Sequence, residues 1–212
     1  MAENIVELLT DVADAIREKK GSTEPIKAQN FAQEIRSIQG GGGGDIVITS
    51  ASDTLADSNN DRWDMSIGGK VIKIGVAAFG GEKRLQRLVI GDGVTTIATN
   101  AFMNCVNLAS LTLSKGLTLI DGNAFKATAI TSVEVFPATT MIGPYAFNDC
   151  TQLAKVIMRA TTPPRLFNPI FDNNAADRLI YVPDESVDAY KAATNWSAYA
   201  DAIRPLSELP NE

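Results

Sequence analysis

A repeat constrains this chain more than any other feature. The dipeptides Ala78-Phe79, Ala101-Phe102, Ala124-Phe125 and Ala146-Phe147 lie 23, 23 and 22 residues apart. Four residues ahead of each alanine stands an isoleucine: Ile74, Ile97, Ile120 and Ile142. After each phenylalanine comes a strand-like run with apolar positions Leu85, Leu88, Ile90; Leu108, Leu111, Leu113; Ile130, Val133, Val135; and Leu153, Val156, Met158. A degenerate further turn carries Ile170-Phe171 and Leu179-Ile180-Tyr181-Val182. One such unit cannot bury its own apolar side chains, but stacked units turn equivalent positions into continuous ladders. The expected fold is an α/β repeat, a solenoid of about five turns over residues 68–182. Each turn supplies one strand and one short turn or helix, and the strands pair in parallel into one curved sheet.

The flanks divide cleanly. Residues 1–39 read as a helical hairpin for attachment or oligomerisation, with Ile5, Leu8, Leu9, Val12 and Ile16 on one stripe and Phe31, Ile35 and Ile38 on the other. Short isolated helices are marginal in water, so this apolar stripe is expected to dock on a partner or on further copies of the chain. Gly40 to Gly44 form an unbroken glycine run, a flexible linker and the clearest boundary. Residues 45–67 are expected to be a β cap at the start of the solenoid. Residues 183–212 are expected to be a helical cap at its end, with Val187, Tyr190, Trp196, Tyr199 and Ile203 supplying the apolar side.

Charge and composition exclude several function classes. A net charge of −6 and the lack of any basic face argue against nucleic acid. The chain has no histidine, which removes the commonest general base and metal ligand. Two cysteines, Cys105 and Cys150, are too few for a four-ligand zinc site. They share one repeat position two turns apart, roughly 9–10 Å at strand spacing, too far for a disulfide. They are expected to be buried small apolar side chains. Asp57, Asn59 and Asp61 imitate the first ligands of a calcium loop, but Arg62 and Gly68 break the pattern, and a plain acidic turn is expected. Gly91-Asp92-Gly93 reads as a tight turn. No serine has a histidine partner, and no catalytic residue, cofactor or metal is expected. The N-terminus has no secretory h-region and no segment reaches the length of a membrane span, so synthesis in a cytoplasm and no membrane partner are expected.

The pattern I-x-x-x-A-F-x-x-C-x-x-L-x-x-L-x-L resembles the BspA-like leucine-rich repeats of bacterial surface and gut-associated proteins. The C-terminal stretch IYVPDESVDAYKAATNWSAYADAIRPL carries the resemblance to residue 206. The resemblance implies a leucine-rich-repeat solenoid whose repeats adhere to other proteins or cells, with no catalytic residue to carry across. The segment LLTDVADAIREKKGSTEPIKAQNFAQEIRSI resembles N-terminal segments of phage and prophage virion proteins of gut bacteria. Together these imply a bacteriophage virion protein, a fibre, spike or decoration component. Its hairpin would bind other virion proteins, its repeats would engage a host-surface protein or glycan, and it would assemble as a homo-oligomer. The alternative is a bacterial surface adhesin or protein-interaction module at the cell surface.

A binding face should use the outward strand positions: Arg87 and Val89, Thr112, Glu134, and Lys155 with Ile157. These are small and mixed, without a Trp, Tyr or Arg cluster. The loops around Trp63 and over Thr161–Arg165 are equal candidates. Asn195-Trp196-Ser197 spells a glycosylation sequon of no expected use here.

Overall fold

The computed structural model describes residues 46–48, 63–67, 71–167 and 169–210. The hairpin stripe from Ile5 to Ile38, the glycine linker and the Asp57–Asp61 loop lie outside the described residues. Elsewhere the chain winds as a parallel solenoid, but with two strands in each coil rather than one. The first set pairs in the order β1 (Ile46–Ile48), β3 (Val71–Ile74), β5 (Thr96–Ile97), β7 (Leu119–Ile120), β9 (Met141–Ile142) and β11 (Arg165–Leu166). We call this six-stranded array the long sheet. The second set is split in two: β2 (Trp63–Ile67), β4 (Leu85–Ile90) and β6 (Ser110–Thr112) form one piece. The other comprises β8 (Ser132–Val135), β10 (Lys155–Met158), β12 (Leu179–Val182) and β13 (Ile203–Pro205). The single curved sheet expected from the sequence is therefore corrected on two counts.

The two strands of a coil follow from the two apolar rows. In the long sheet Ile74, Ile97, Ile120, Ile142 and Leu166 pair in register and point into the core, where none is more than 2 % exposed. Thr95, Thr118 and Thr140 stand two residues ahead of three of them. Each donates both its N–H and its Oγ1–H to the previous coil, onto Ile72 O, Thr95 O and Thr118 O respectively. β-Branched residues suit this pleated edge, and the pairing lets so short a strand persist. In the split sheet Leu88, Val133, Val156 and Ile180 fill the opposite side of the same core.

Between the two strands the Ala-Phe segment is neither strand nor helix. It is a tandem turn with two left-handed residues in each coil, one just before the alanine and one two after the phenylalanine. Ala77, Asn100, Asn123 and Tyr145 take the first place, and Gly81, Asn104, Ala127, Asp149 and Asn173 the second, at φ between 53° and 78°. This conformation aims three N–H groups per coil along the solenoid axis. From the second coil they run Asn100 N to Gly122 O, Phe102 N to Ala124 O and Asn104 N to Lys126 O, and the first, third and fourth coils repeat the set. The turns thus form a third hydrogen-bonded ladder, which satisfies backbone that a buried loop would otherwise leave unpaired.

Phenylalanines run beneath that ladder. Phe79, Phe102, Phe125, Phe147 and Phe171 stack at centroid distances of 5.1, 5.3, 5.6 and 5.8 Å, with interplanar angles opening from 2° to 13°. Stacking of this kind adds about 0.5–1.5 kcal/mol per pair beyond burial. The widest step, from Phe147 to Phe171, spans one residue more than the 23-residue period.

Beyond the last coil the chain closes its own open ends. Tyr199 meets Phe171 edge-on, with rings 77° apart, and its hydroxyl accepts the N–H groups of Ile170 and Phe171. In earlier coils the donor at the Phe171 position goes to the next coil. Tyr190 Oη donates to Ala160 O, Trp196 Nε1 to Pro164 O, and Asn195 Nδ2 to Leu166 O. Helix supplies only part of this closure: one α-helix, α1 (Val187–Ala192), and 3-10 turns around it. β13 supplies the rest by continuing the split sheet, a strand the sequence did not announce.

Candidate binding surface

The six face residues expected from the sequence do share the outer side of the split sheet. Arg87 and Thr112 are exposed, and Val89, Glu134, Lys155 and Ile157 are half-buried. Register sets them in two rows. Arg87 sits opposite Ser110, and Ser132 opposite Lys155, which faces Leu179. Val89 sits opposite Thr112, and Glu134 opposite Ile157, which faces Tyr181 and then Arg204. The face divides at the split, so Arg87, Val89 and Thr112 lie on one piece and Glu134, Lys155 and Ile157 on the other. Glu134 is engaged by Arg159, whose Nε lies 2.5 Å from Oε1.

Sequence reasoning missed the outer side of the long sheet. There Lys73, Thr96, Leu119, Met141 and Arg165 form one row, flanked by the exposed Thr95, Thr118 and Thr140. The available signal was the triplet Thr-x-Ile, found as Thr95-Thr96-Ile97, Thr118-Leu119-Ile120 and Thr140-Met141-Ile142. At its C-terminal end this face leads into a groove of about 410 Å³ between β11 and the turn after α1. The Thr161–Arg165 loop named above contributes to its wall through Pro163, Pro164 and Arg165. The Arg165 guanidinium lies 4.6 Å from the centroid of the Phe167 ring. The sequon asparagine sits in the same groove, half-buried and committed to Leu166 O.

The chemistry of the interior is structural. Both cysteines are free and buried, but their role differs from that of inert apolar filling. Cys105 Sγ donates to Phe79 O and Cys150 Sγ to Phe125 O, both at 3.1 Å, while Asn174 Nδ2 does the same for Phe147 O. In three coils this position carries a donor that reaches back to the previous coil, whereas Thr128 in the coil between them meets Cys150 Sγ at 3.2 Å. Burial pushes the Cys105 thiol up to about 12 and also raises that of Cys150. Arg178 has its charge disfavoured by burial, yet it is held by Phe171 O and lies over the rings of Phe171 and Tyr199. Arg84 is half-buried and ion-paired with Glu82. Among the described residues no three His, Cys, Asp or Glu side chains group as metal ligands, and no helix is long and apolar enough to cross a membrane.

Comparison with known proteins agrees with this geometry. The chain is similar to a T. pallidum leucine-rich-repeat protein, with TM-score 0.52 and 22 % identity over 65 % of this chain and 62 % of that one. It is similar also to the pneumococcal vaccine antigen PcpA, with TM-score 0.52 and 12 % identity over 75 % of this chain and 42 % of that one. The chain therefore spans less than two thirds of either protein's length. No curated protein matches it. The model of the BspA type leucine rich repeat region matches residues 58–174 in six copies, and this chain belongs to that family.

Proposed function

We propose that this chain is a non-enzymatic protein-interaction module whose solenoid presents an adhesive surface, as a bacterial BspA-like surface protein does. The observation that carries the reading is how the side chains are divided. The apolar rows, the cysteines and the left-handed turns are all consumed in coil-to-coil contacts, and the outer faces of the sheets remain as surface. Family membership over residues 58–174 supports the same reading. The surface-adhesin reading has more support than the virion reading, whose own evidence is the resemblance of residues 8–38, outside the described structure. Docking through Ile5, Leu8, Leu9, Val12, Ile16, Phe31, Ile35 and Ile38, to another protein or to further copies of the chain, stays part of the proposal.

The test is saturable binding of the full-length protein to a panel of purified cell-surface and matrix proteins. Two sets of charge changes are compared: Arg87→Glu with Thr112→Glu on the split sheet, and Lys73→Glu on the long sheet. All three residues are exposed, so melting temperatures should hold while binding falls for one face only. Saturable binding to nothing in the panel, or binding that both sets leave intact, would sink the proposal.

A further inference from the structure

The groove at the C-terminal end of the long sheet differs from the rest of the surface in what it leaves available. Its floor is Trp196 and Pro164, both buried, and its walls are Phe167, Pro163 and Ala193, all half-buried. Its volume of about 410 Å³ falls within the range in which small ligands and short peptide side chains are held.

Four backbone groups along β11 are already satisfied. Arg165 N donates to Thr140 O and Phe167 N to Ile142 O. Pro164 O accepts from Trp196 Nε1 and Leu166 O from Asn195 Nδ2. A strand cannot add to this edge, because the groups it would pair with are taken. A neutral sugar is poorly served for the same reason, since it needs several open polar partners and the indole N–H and one amide N–H are spent internally. What remains is apolar surface, the neutral side chains of Thr194 and Asn195, and one cation. Arg165 is exposed, lies against the Phe167 ring, and has no ion pair among the described residues. Among the described residues it is the sole ionisable one lining the groove.

We infer that this groove takes a peptide segment of a protein partner in which a carboxylate side chain is flanked by apolar residues. The carboxylate meets Arg165, and the apolar flanks lie on Phe167, Pro163 and the Leu119–Met141 row leading into the groove. The ring beneath the guanidinium keeps its plane in place and leaves its outer edge open for a charge-assisted contact. This inference rests on the reading of the chain as a protein-interaction module.

The test is an NMR titration of the ¹⁵N-labelled full-length protein with N-acetyl-Leu-Pro-Leu-Glu-Leu-amide. The counterpart carrying Gln for Glu is titrated in parallel, and chitotriose serves as a neutral sugar. The Glu peptide should shift the amides of Arg165, Phe167 and Thr194 and the Trp196 indole. Its apparent Kd should rise by about five- to tenfold for the Gln peptide, and equally for the Glu peptide on Arg165→Gln. No shifts at the groove, equal affinity for both peptides, or shifts with chitotriose alone would overturn it. A silent groove in a protein whose panel binding is still abolished by Arg87→Glu with Thr112→Glu would remove the groove proposal and leave the module intact.

Discussion

The long sheet and the split sheet are built from the same coils, yet one runs unbroken through six strands and the other is cut between β6 and β8. A single missing residue coincides with the cut. Six positions separate Phe79 from Leu85, Phe102 from Leu108 and Phe147 from Leu153, but five separate Phe125 from Ile130. The loss falls just upstream of β8. Ala109 N bonds to Gln86 O and Ala154 N to Thr131 O, but among the described residues no backbone bond joins Thr131 to Ala109. Leu111 shows the result on the core side: it is only partly buried, whereas Leu88, Val133 and Val156 are no more than 1 % exposed. Nine residues then separate Val133 from Ile142, as they separate Leu111 from Ile120, so the chain is back in register at the long sheet. One side of a solenoid can thus absorb a length change that the other never registers.

The contrast predicts where the molecule is held together at the seam. With the split sheet open there, the long sheet, the turn ladder and the phenylalanine stack must carry the coupling between the two halves. Phe125→Ala removes the ring that bridges Phe102 and Phe147 at this point, and should cost about 3–5 kcal/mol. Urea unfolding should also change from one transition to two, because neighbour coupling makes a solenoid cooperative. A single transition shifted by the same amount as for Phe102→Ala would show that the seam is not special.

Alkaline pH tests the halves separately. Cys105 belongs to the coils before the seam and Cys150 to those after it. A thiol raised from 9.0 to about 12 keeps its proton in the folded chain while the unfolded chain loses it. The stability is therefore fully present below pH 9 and is lost as pH climbs toward about 12, on the order of 4 kcal/mol at the limit. The Cys150 thiol and the Tyr190 hydroxyl, both raised by burial, push in the same direction from the other half. Cys105→Ser keeps a donor for Phe79 O but no longer titrates, so it should flatten the alkaline decline in part. An unchanged profile between pH 9 and 11 would contradict the assignment.

Restoring the residue should have a smaller, favourable effect. An asparagine inserted between Ala129 and Ile130 recreates the six-residue spacing of Phe102 to Leu108. It should let Thr131 or Ser132 pair with Ala109, at about 1 kcal/mol for a recovered backbone bond. Amide exchange at Thr131–Val133 should slow. Exchange that stays fast, with unchanged stability, would mean that the split has another cause.

These features differ in how far the sequence discloses them. The period is legible because the phenylalanine, isoleucine and leucine rows each recur at one spacing, and burial is the physical demand they share. The count of sheets was not, since two-residue strands such as Thr96–Ile97 are too short for an alternating pattern to emerge. The left-handed turns were partly visible as Asn100, Asn104 and Asn123, yet Ala77, Ala127 and Tyr145 occupy the same backbone and hide it. Strand alternation alone marks the face residues as lying outside the core, and carries no information on what they bind. The groove was beyond reach, because it joins β11 to a turn about 30 residues later in the chain.

The smallest expected effect concerns one of those disguised turns. Ala127 sits at φ 57° in the place where Asn104, Asp149 and Asn173 stand in other coils, three residues before the shortened connection ends. An alanine there bears the steric cost of the left-handed region, which asparagine tolerates better because its side chain bonds locally. Ala127→Asn should therefore stabilise the chain by roughly 0.5–1 kcal/mol, and Ala77→Asn, in the corresponding first place of an earlier coil, by a similar amount. If strain at Ala127 also helps to hold the seam open, the gain at Ala127 should exceed that at Ala77 and carry slower amide exchange at Thr131–Val133. Equal gains with unchanged exchange would place the cause of the split in chain length alone, since relieving the turn would then have left the two pieces of the sheet as far from pairing as before.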